Sequence, residues 1–411
     1  MSDTFRPETE AQLIDVVTWA VAESRTFDVR GGGGKRAYGR PAETTDILDL
    51  SGLSGITDYD PSELVLTAGA ATPMAEIEAR LAEAGQQLAF EPGDLGGLLG
   101  QASGSGTLGG VIGCNLAGPR RLKAGAARDH ILGFNAVSGR GEAFKSGGRV
   151  VKNVTGFDLS KLMAGSLGTL AVMTEITVKA LPIPDRVRTV LIGWAVDGIY
   201  DHGAVTAMTE AMASPHEVSG AAHLPGAVAG RSAVDYVSGG GRAMTAIRVE
   251  GPASSVAHRC NALKDMLGKY GEIEELHTAN SQTLWREIAD VAYFTENRDR
   301  QIWRLSVPPT EGSRLALKIL EGRPGEMFYD WAGGLVWLAV DAADDAHGDV
   351  VRSRLAAVGG HATLIRADDD IRRRVPVFQP QPTAIAEITR RIKQGFDPSG
   401  VLNPGRMYDG I

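Results

Sequence analysis

SGSGTLGGVIGCNLAGPRRLKAGAARDHILGF (residues 103–134) and KNVTGFDLSKLMAGSLGTLAVMTEITVK (residues 152–179) flank a glycine-rich hairpin, and the reading of this stretch decides the fold. Its glycines cluster at residues 104–113 and 165–168, each cluster beside a run that reads as a strand or a helix. Nine glycines fall from Gly93 to Gly113. Glycine has no Cβ, so a backbone built from it approaches a ligand closely and exposes consecutive N–H groups. A pyrophosphate needs that kind of cradle. A loop that merely turns often has the same composition, and spacing alone does not separate the two readings.

A second glycine loop near the N-terminus favours the cradle. Phe27, Asp28, Val29 and Arg30 read as a short strand that runs directly into GGGGKRAYGR, residues 31–40. A strand entering four glycines sets successive amides in a concave nest, a known anion-binding geometry, and Lys35 and Arg36 add positive charge beside it. The alternative is a flexible loop after an edge strand. The entropy lost in ordering an unsupported tetraglycine argues against that alternative.

Around the nest, the first 90 residues read as helix (7–24), strand, nest, two strands (45–51 and 63–69) and a second helix. Tyr59, Asp60, Pro61 and Ser62 form a turn between the two strands. Thr72 and Pro73 open the second helix, Gly85 closes it, and residues 87–90 follow as a short strand. No G-x-G-x-x-G follows the first strand, so this is not the usual dinucleotide-binding βαβ unit. Gly34-Lys35 is followed by Arg36 rather than Ser or Thr, which excludes a Walker loop.

Composition narrows the function classes. At 411 residues, 43% hydrophobic and 22% charged, the chain has material for two or three ordinary domains. A net charge of −8 argues against nucleic acid as the main partner, which would need an excess of Lys and Arg. Cys114 and Cys260 are the only cysteines, as expected of a reduced, cytoplasmic protein. Two thiols cannot hold an iron–sulfur cluster, which takes four. The polar start MSDTFRPETEAQ lacks the features of a secretion signal, and no apolar run of 18 residues predicts a membrane span.

The tetraglycine nest, TLGGVIGCN (107–115), ARDHILGFNAVSGRGE (127–142) and GFDLSKLMAGSLGTLAVMTEITVK (156–179) follow one another in an informative order. Together they resemble the FAD-binding domain of the vanillyl-alcohol oxidase and p-cresol methylhydroxylase flavoprotein family, over roughly residues 5–182. FDPSGVLNPGRMY (396–408) is similar to that family's C-terminal signature. Within the family, the length and the segments PRRLKAGAARDH (119–130) and KSGGRVVKNVTGFDLSKL (145–162) are most similar to the FAD-binding E subunits of glycolate oxidase, also called glycolate dehydrogenase.

The resemblance implies an α+β fold: an FAD-binding domain of the p-cresol methylhydroxylase type (two α+β subdomains) at 1–182, an α+β cap domain at 183–375, and a segment at 376–411 returning to the FAD domain. It also implies site residues. Arg30, Gly31, Gly32, Gly33, Gly34, Lys35 and Arg36 would hold the FAD pyrophosphate. Pro92, Gly93, Gly106, Thr107, Gly109, Gly110 and Asn115 would line the isoalloxazine and phosphate side of the groove. Gly118, Arg128 and Asp129 would sit on a loop closing over the cofactor. Gly168 and Val172 would approach the adenine end, and Asn403 would return toward the flavin. Many relatives attach FAD through a histidine in the first glycine loop. GGGGKRAYG has none, so non-covalent FAD is expected.

From residue 185 onward strands (187–196, 244–251, 272–278, 301–309, 334–340) alternate with helices (205–214, 254–271, 281–294, 313–322), and no solenoid repeat is visible. The strands near Val187 and Thr245 would pair in one antiparallel sheet. Substrate-side signals are sparse. Catalytic subunits of related 2-hydroxy-acid oxidising flavoproteins carry a segment of the type H-x-G-D-G-N-x-H. The nearest string here, Ala346-His347-Gly348-Asp349-Val350, lacks the second histidine and reads as surface helix. His223, His277 and His361 have no partners at ligand spacing, so no metal is expected. His130 reads as a hydrogen-bonded structural histidine or as a base near the flavin. Arg366, Arg372, Arg373 and Arg374 read as a solvated run or an anion site. No catalytic residue is assigned.

The resemblance implies a subunit acting in oxidation of glycolate, a 2-hydroxy acid, to glyoxylate, with electrons passing through FAD to a non-nicotinamide acceptor. The implied partners are a second FAD-binding catalytic subunit and an iron–sulfur subunit, which would bring a cytoplasmic protein to the inner face of the membrane. A stand-alone FAD-dependent 2-hydroxy-acid dehydrogenase and a flavin-free assembly subunit remain open alternatives.

Overall fold

A computed structural model describes residues 2–148, 157–194 and 201–411. The chain divides into two units: Met1–Leu116, Gly125–Ile183 and Pro376–Ile411 form the first, and Ala117–Ala124 with Pro184–Val375 form the second.

The first unit is built on two sheets. β1 (Thr4–Phe5), β2 (Phe27–Arg30) and β3 (Asp46–Asp49) make a parallel sheet in the order β1-β3-β2. Residues near the C-terminus extend it through a parallel bridge from Leu402 to Phe27. Helix Glu10–Ala22 covers this sheet. Thr9 caps it by accepting from the Gln12 amide at 3.2 Å, and Glu10 sits in its first turn, where a negative charge suits the helix dipole. Leu13, Val17 and Ala20 recur on one face and bury against Phe27, Leu48, Val401 and Leu402.

The second sheet of this unit is antiparallel: β4 (Ile56–Asp60), β5 (Val65–Gly69), β7 (Ile131–Ser138), β8 (Ala143–Gly147) and β9 (Ala171–Lys179), in the order β4-β5-β9-β7-β8. β5 is buried along its whole length, and its run VLTAG reads accordingly. β4 is an edge strand with exposed residues, so its polar run ITDYD is not legible as a strand. Tyr59 and Asp60, read above as a turn, lie in β4, and the turn starts at Pro61. Helix Met74–Glu83 and the short helix Leu108–Gly113 pack on this sheet through Ile77, Leu81, Leu108 and Ile112. β6 (Gln86–Gln87) pairs with β10 (Leu181–Pro182), so the strand expected at 87–90 is confined to its first residue. The expected two α+β subdomains are therefore present in this unit. Part of the segment 145–162 lies outside the described residues, at 149–156.

The second unit carries one eight-stranded antiparallel sheet. Its strands are β11 (Arg186–Trp194), β12 (Gly220–Leu224), β13 (Ala243–Gly251), β14 (Glu272–Leu276), β15 (Gln301–Ser306), β16 (Gly325–Asp330), β17 (Leu335–Val340) and β18 (His361–Arg366). The order is β14-β11-β13-β12-β16-β17-β15-β18. β11 and β13 pair antiparallel from Arg186↔Gly251 to Trp194↔Ala243, in the arrangement expected for Val187 and Thr245. The strand reading past Trp194 falls outside the described residues.

This sheet is a duplication. β11–β14 follow a β-α-β-β-α-β path and lie in the order fourth, first, third, second. β15–β18 follow the same path and lie in the mirror order. Each half is a split βαβ motif. The halves meet at β12 and β16, where one residue pair, His223↔Tyr329, is in register. No repeat is visible in the sequence because a strand position constrains only burial, and Val, Ala, His or Tyr satisfy it equally.

Candidate functional site

β2 delivers the chain into the first glycine loop inside the first unit. The amides of Gly32, Gly33, Gly34 and Lys35 make no hydrogen bond among the described residues. Four consecutive bare donors are what an anion-binding nest requires. The loop leans against the second glycine stretch. A Cβ on Gly32 would lie 2.2 Å from the Ser105 carbonyl oxygen, and one on Gly31 would lie 2.7 Å from Thr107 Oγ1. Side chains at either position would push the two stretches apart.

The two stretches wall one groove of about 810 Å³, counting the part open to solvent. Arg30, Gly31, Gly32, Gly33, Gly34, Lys35 and Arg36 line one side. Thr107, Gly109 and Gly110 line the facing side, and Gly168, Val172 and Asn403 line the far end. Gly109 approaches the chain just after β5 so closely that a Cβ would sit 2.8 Å from the Ala70 carbonyl oxygen. Thr107 caps helix Leu108–Gly113, its Oγ1 accepting from the Gly110 amide at 3.3 Å.

Lys35 shares the groove with three other cations, Arg30, Arg36 and Arg406. It lies against Gly106 and Gly110, where an added Cβ would fall 3.2 and 3.6 Å from its Nζ. No carboxylate among the described residues is within ion-pair distance of it. Burial lowers its pKa, an effect only partly opposed by Cys114 and Asp94. A half-buried ammonium without a counter-ion, beside four unpaired amides, is a site that an anion would complete.

At the far end β9 runs past the end of β5. Gly69 pairs with Glu175 and the Ala70 amide donates to Thr174, so beyond Thr174 the strand pairs only with β7. The other main-chain edge of Ala171, Val172 and Met173 therefore borders the groove without a strand neighbour. Asn403 holds this end together. Its Oδ1 accepts from the Val29 amide at 2.9 Å and its Nδ2 donates to the Leu167 carbonyl at 2.8 Å. A buried latch fixes Asn403: Lys393 Nζ donates to Asp397 at 2.7 Å and to the carbonyls of Thr169 and Leu402 at 2.6 and 3.0 Å.

The FAD binding domain family matches residues 3–147 of this chain. The glycolate oxidase subunit GlcE of Escherichia coli is 33% identical over 396 residues, which cover 96% of each chain.

The chain belongs to the glycolate oxidase subunit GlcE family.

As a GlcE-family protein it is an FAD-dependent flavoprotein oxidoreductase with FAD as cofactor. The glycolate oxidase subunit GlcD of Bacillus subtilis is 42% identical over a shorter stretch of 85 residues, 21% of this chain and 18% of that one. Among solved structures, p-cresol methylhydroxylase with substrate bound superposes with a TM-score of 0.75 at 14% identity. The match covers 99% of this chain and 88% of that one. This likeness establishes the p-cresol methylhydroxylase-type fold.

Pro92, Gly93, Gly106, Asn115, Gly118, Arg128 and Asp129 are not in the lining given above, and the structure shows the local partners of most of them. Pro92 and Gly93 are buried in the irregular segment after β6. Gly106 sits behind Lys35, and its carbonyl accepts from the Met74 amide at 2.9 Å. Asn115, at φ +47°, accepts the Arg128 amide on Oδ1 at 3.0 Å. Asp129 closes the same turn by accepting the Ala126 amide at 2.9 Å. Arg128 and Asp129 therefore build a turn in the first unit. Gly118 belongs to the second unit, where its carbonyl accepts from Trp331 Nε1 at 3.1 Å.

The histidines and arginines also find their places. His130 is buried with its ring 5.1 Å from Phe90, and it does not line the groove. His347 is not on a helix surface. It is the residue before helix Gly348–Ala356, at φ +54°. Arg366 is half-buried and turned onto the backbone: it donates to the carbonyls of Arg300 and Phe294 at 3.0 and 2.8 Å. Arg372 is buried and paired with Asp369 at 2.6 Å, and Arg373 is paired with Asp370 at 2.9 Å. Among the described residues, no cluster of three His, Cys, Asp or Glu could hold a metal ion.

Sequence reasoning missed Asp28, Cys114 and Arg406, all of which line the groove. Burial raises the Cys114 thiol pKa, a shift only partly opposed by Lys35 and Arg406. The thiol is therefore protonated near neutral pH and a poor nucleophile. Arg406 stands three residues after Asn403 in the quoted C-terminal run, and a cation in a signature near a phosphate cradle is the signal that could have found it.

Proposed function

We propose that this chain is the FAD-binding subunit of a glycolate oxidase. It takes part in oxidation of glycolate, a 2-hydroxy acid, to glyoxylate, with electrons leaving through FAD to a non-nicotinamide acceptor. The observation that carries this reading is the run of four unpaired amides, Gly32 to Lys35, beside an unpaired ammonium in a groove of cofactor size. Those residues would hold the diphosphate. The open edge of Val172 would read the adenine, and Thr107, Gly109 and Gly110 would border the flavin side. Bound there, FAD supplies acceptance of two electrons from a CH–OH carbon and their onward delivery.

The chain's own residues bind and orient. Lys35 neutralises, the glycines allow close approach, and the Lys393–Asp397 latch keeps the far end closed. FAD is held without a covalent bond, since the first glycine loop has no histidine and the Cys114 thiol is protonated. The partners implied are a catalytic flavoprotein subunit, as the GlcD likeness over 85 residues suggests, and an iron–sulfur subunit. No helix among the described residues is long and apolar enough to cross a membrane. Placement at the inner membrane face would come through those partners. The string at residues 346–350 lacks the second histidine of the H-x-G-D-G-N-x-H segment, which favours electron relay or support of the partner over substrate oxidation by this chain alone.

The deciding experiment is flavin stoichiometry of the isolated chain, followed by glycolate under anaerobic conditions. One FAD per chain that does not bleach until the catalytic partner is added supports the relay reading. Bleaching of the isolated chain by glycolate would overturn it, and a chain that takes up no FAD would overturn the whole assignment.

A further inference from the structure

We infer that Arg406 is a positioning residue for the cofactor: it clamps the exit of the first glycine loop so that the amides of Gly32 to Lys35 face the groove before any ligand arrives. This rests on the reading of the groove as the FAD site. Arg406 Nη2 donates to the carbonyls of Lys35 and Arg36, at 3.0 and 3.4 Å, from 371 positions away from Lys35 in the chain. Its own carbonyl accepts the Arg40 amide at 2.9 Å. Gly39, at φ +95°, passes that carbonyl so closely that a Cβ would stand 3.0 Å from it. Residues 35–40 thus wrap around one buried side chain.

The entrance of the loop is tied to the same place. Asp28 on β2 lies with Oδ1 3.7 Å from Arg406 Nη1, and its Oδ2 accepts from Arg30 Nε at 2.8 Å. One carboxylate thereby spans the residue before the loop and the clamp after it. Four consecutive glycines lose more conformational freedom on ordering than any other residues. Fixing both ends in the free protein removes much of that cost from the binding step. The planar guanidinium, with donors in a fixed fork, reaches two carbonyls and a carboxylate at once, which an ammonium cannot.

The test uses the full chain freed of flavin, titrated with FAD, ADP and riboflavin, with amide hydrogen exchange over residues 31–40 followed in parallel. R406M is expected to weaken FAD and ADP about tenfold or more. Riboflavin, which lacks the diphosphate, is expected to bind as before, and loop exchange is expected to quicken while the thermal midpoint of the flavin-free chain holds. R406K is expected to recover part of the loss. Unchanged FAD affinity in R406M, or equal loss of all three ligands together with a lowered thermal midpoint, would overturn the clamp. If R406M does not fold, R406K decides: wild-type affinity and exchange in that variant overturn the proposal. A wild-type chain that binds no FAD sinks the reading of the groove instead, and loop exchange in the variants then decides the clamp alone.

Discussion

The Tyr329 hydroxyl donates to the Asp201 carboxylate over 2.8 Å with both side chains buried, and this bond joins the two halves of the duplicated sheet. Asp201 opens helix Asp201–Ala213 of the first half, and Tyr329 lies on β16 of the second. The other Asp201 oxygen is 3.5 Å from His223 Nε2. His223 Nδ1 in turn shares a 2.8 Å hydrogen bond with Thr245 Oγ1, which accepts from Trp194 Nε1 at 2.8 Å. Burial, then the neighbouring carboxylate, raises the Tyr329 phenol well above its ordinary pKa, so it remains a donor at all working pH. Y329F removes the donor and leaves a buried carboxylate short of a partner. The expected loss is about 1–3 kcal/mol, read as a lower urea midpoint.

Alanine at two adjacent glycines should give opposite results. At Gly32 a Cβ would meet the Ser105 carbonyl at 2.2 Å, a backbone atom with no freedom to retreat. G32A should abolish tight FAD binding. At Gly33 the space is open and only the positive φ of +77° resists a side chain. G33A should cost about 1 kcal/mol of loop strain and weaken FAD by roughly tenfold at most. Fluorescence titration separates them, and equal losses would show that the loop does not lean on Ser105.

Lys35 makes FAD binding depend on pH. Burial lowers its pKa, so the free protein sheds this proton earlier than an exposed lysine does as pH rises. Affinity for FAD should fall toward alkaline pH, because the cation proposed to pair with the diphosphate is lost. K35M should bind FAD about tenfold more weakly near neutral pH, with a flat alkaline profile and a smaller dependence on salt.

Glu250 shapes the acid limit of the second unit. Burial alone would raise its pKa, but Arg248 at 3.8 Å and Arg120, donating at 2.6 Å, outweigh burial and bring it from 4.5 to about 2. A carboxylate whose folded pKa is depressed stabilises the fold above its unfolded value and loses that contribution as pH falls. The window here runs from 4.5 down to about 2 and carries up to about 3 kcal/mol. E250Q should flatten denaturation curves across that window while lowering stability at pH 7.

Cys114 should prove dispensable for retaining flavin. Its thiol is protonated at neutral pH, so acid precipitation should release all FAD from the wild-type chain and from C114S alike. Yellow colour remaining in the wild-type pellet and absent from the C114S pellet would reverse that expectation.

The FAD-binding unit was legible where composition and backbone demand coincide. GGGGKR after FDVR, and TLGGVIG before a helix, marked two loops that come close together, because only glycine permits those approaches. Polar edge strands such as ITDYD were not legible, since an exposed strand and a turn use the same residues. The strands GAAHL, GEMFYD and HATLIR escaped for a related reason: their short mixed runs make sense only beside the neighbours they pair with.

By itself, the sequence determined the composition of the groove: consecutive glycines that permit close backbone approach, a lysine beside them, and no histidine in the first glycine loop. Only the tertiary structure decided which of the named residues meet there. Asn115, Arg128 and Asp129 turned out to fold a turn with their own polar groups, whereas Asp28 and Arg406, 378 positions apart, hold the glycine loop between them. Hydrogen bonds between distant segments depend on where packing brings the chain, and no local pattern of residues encodes that.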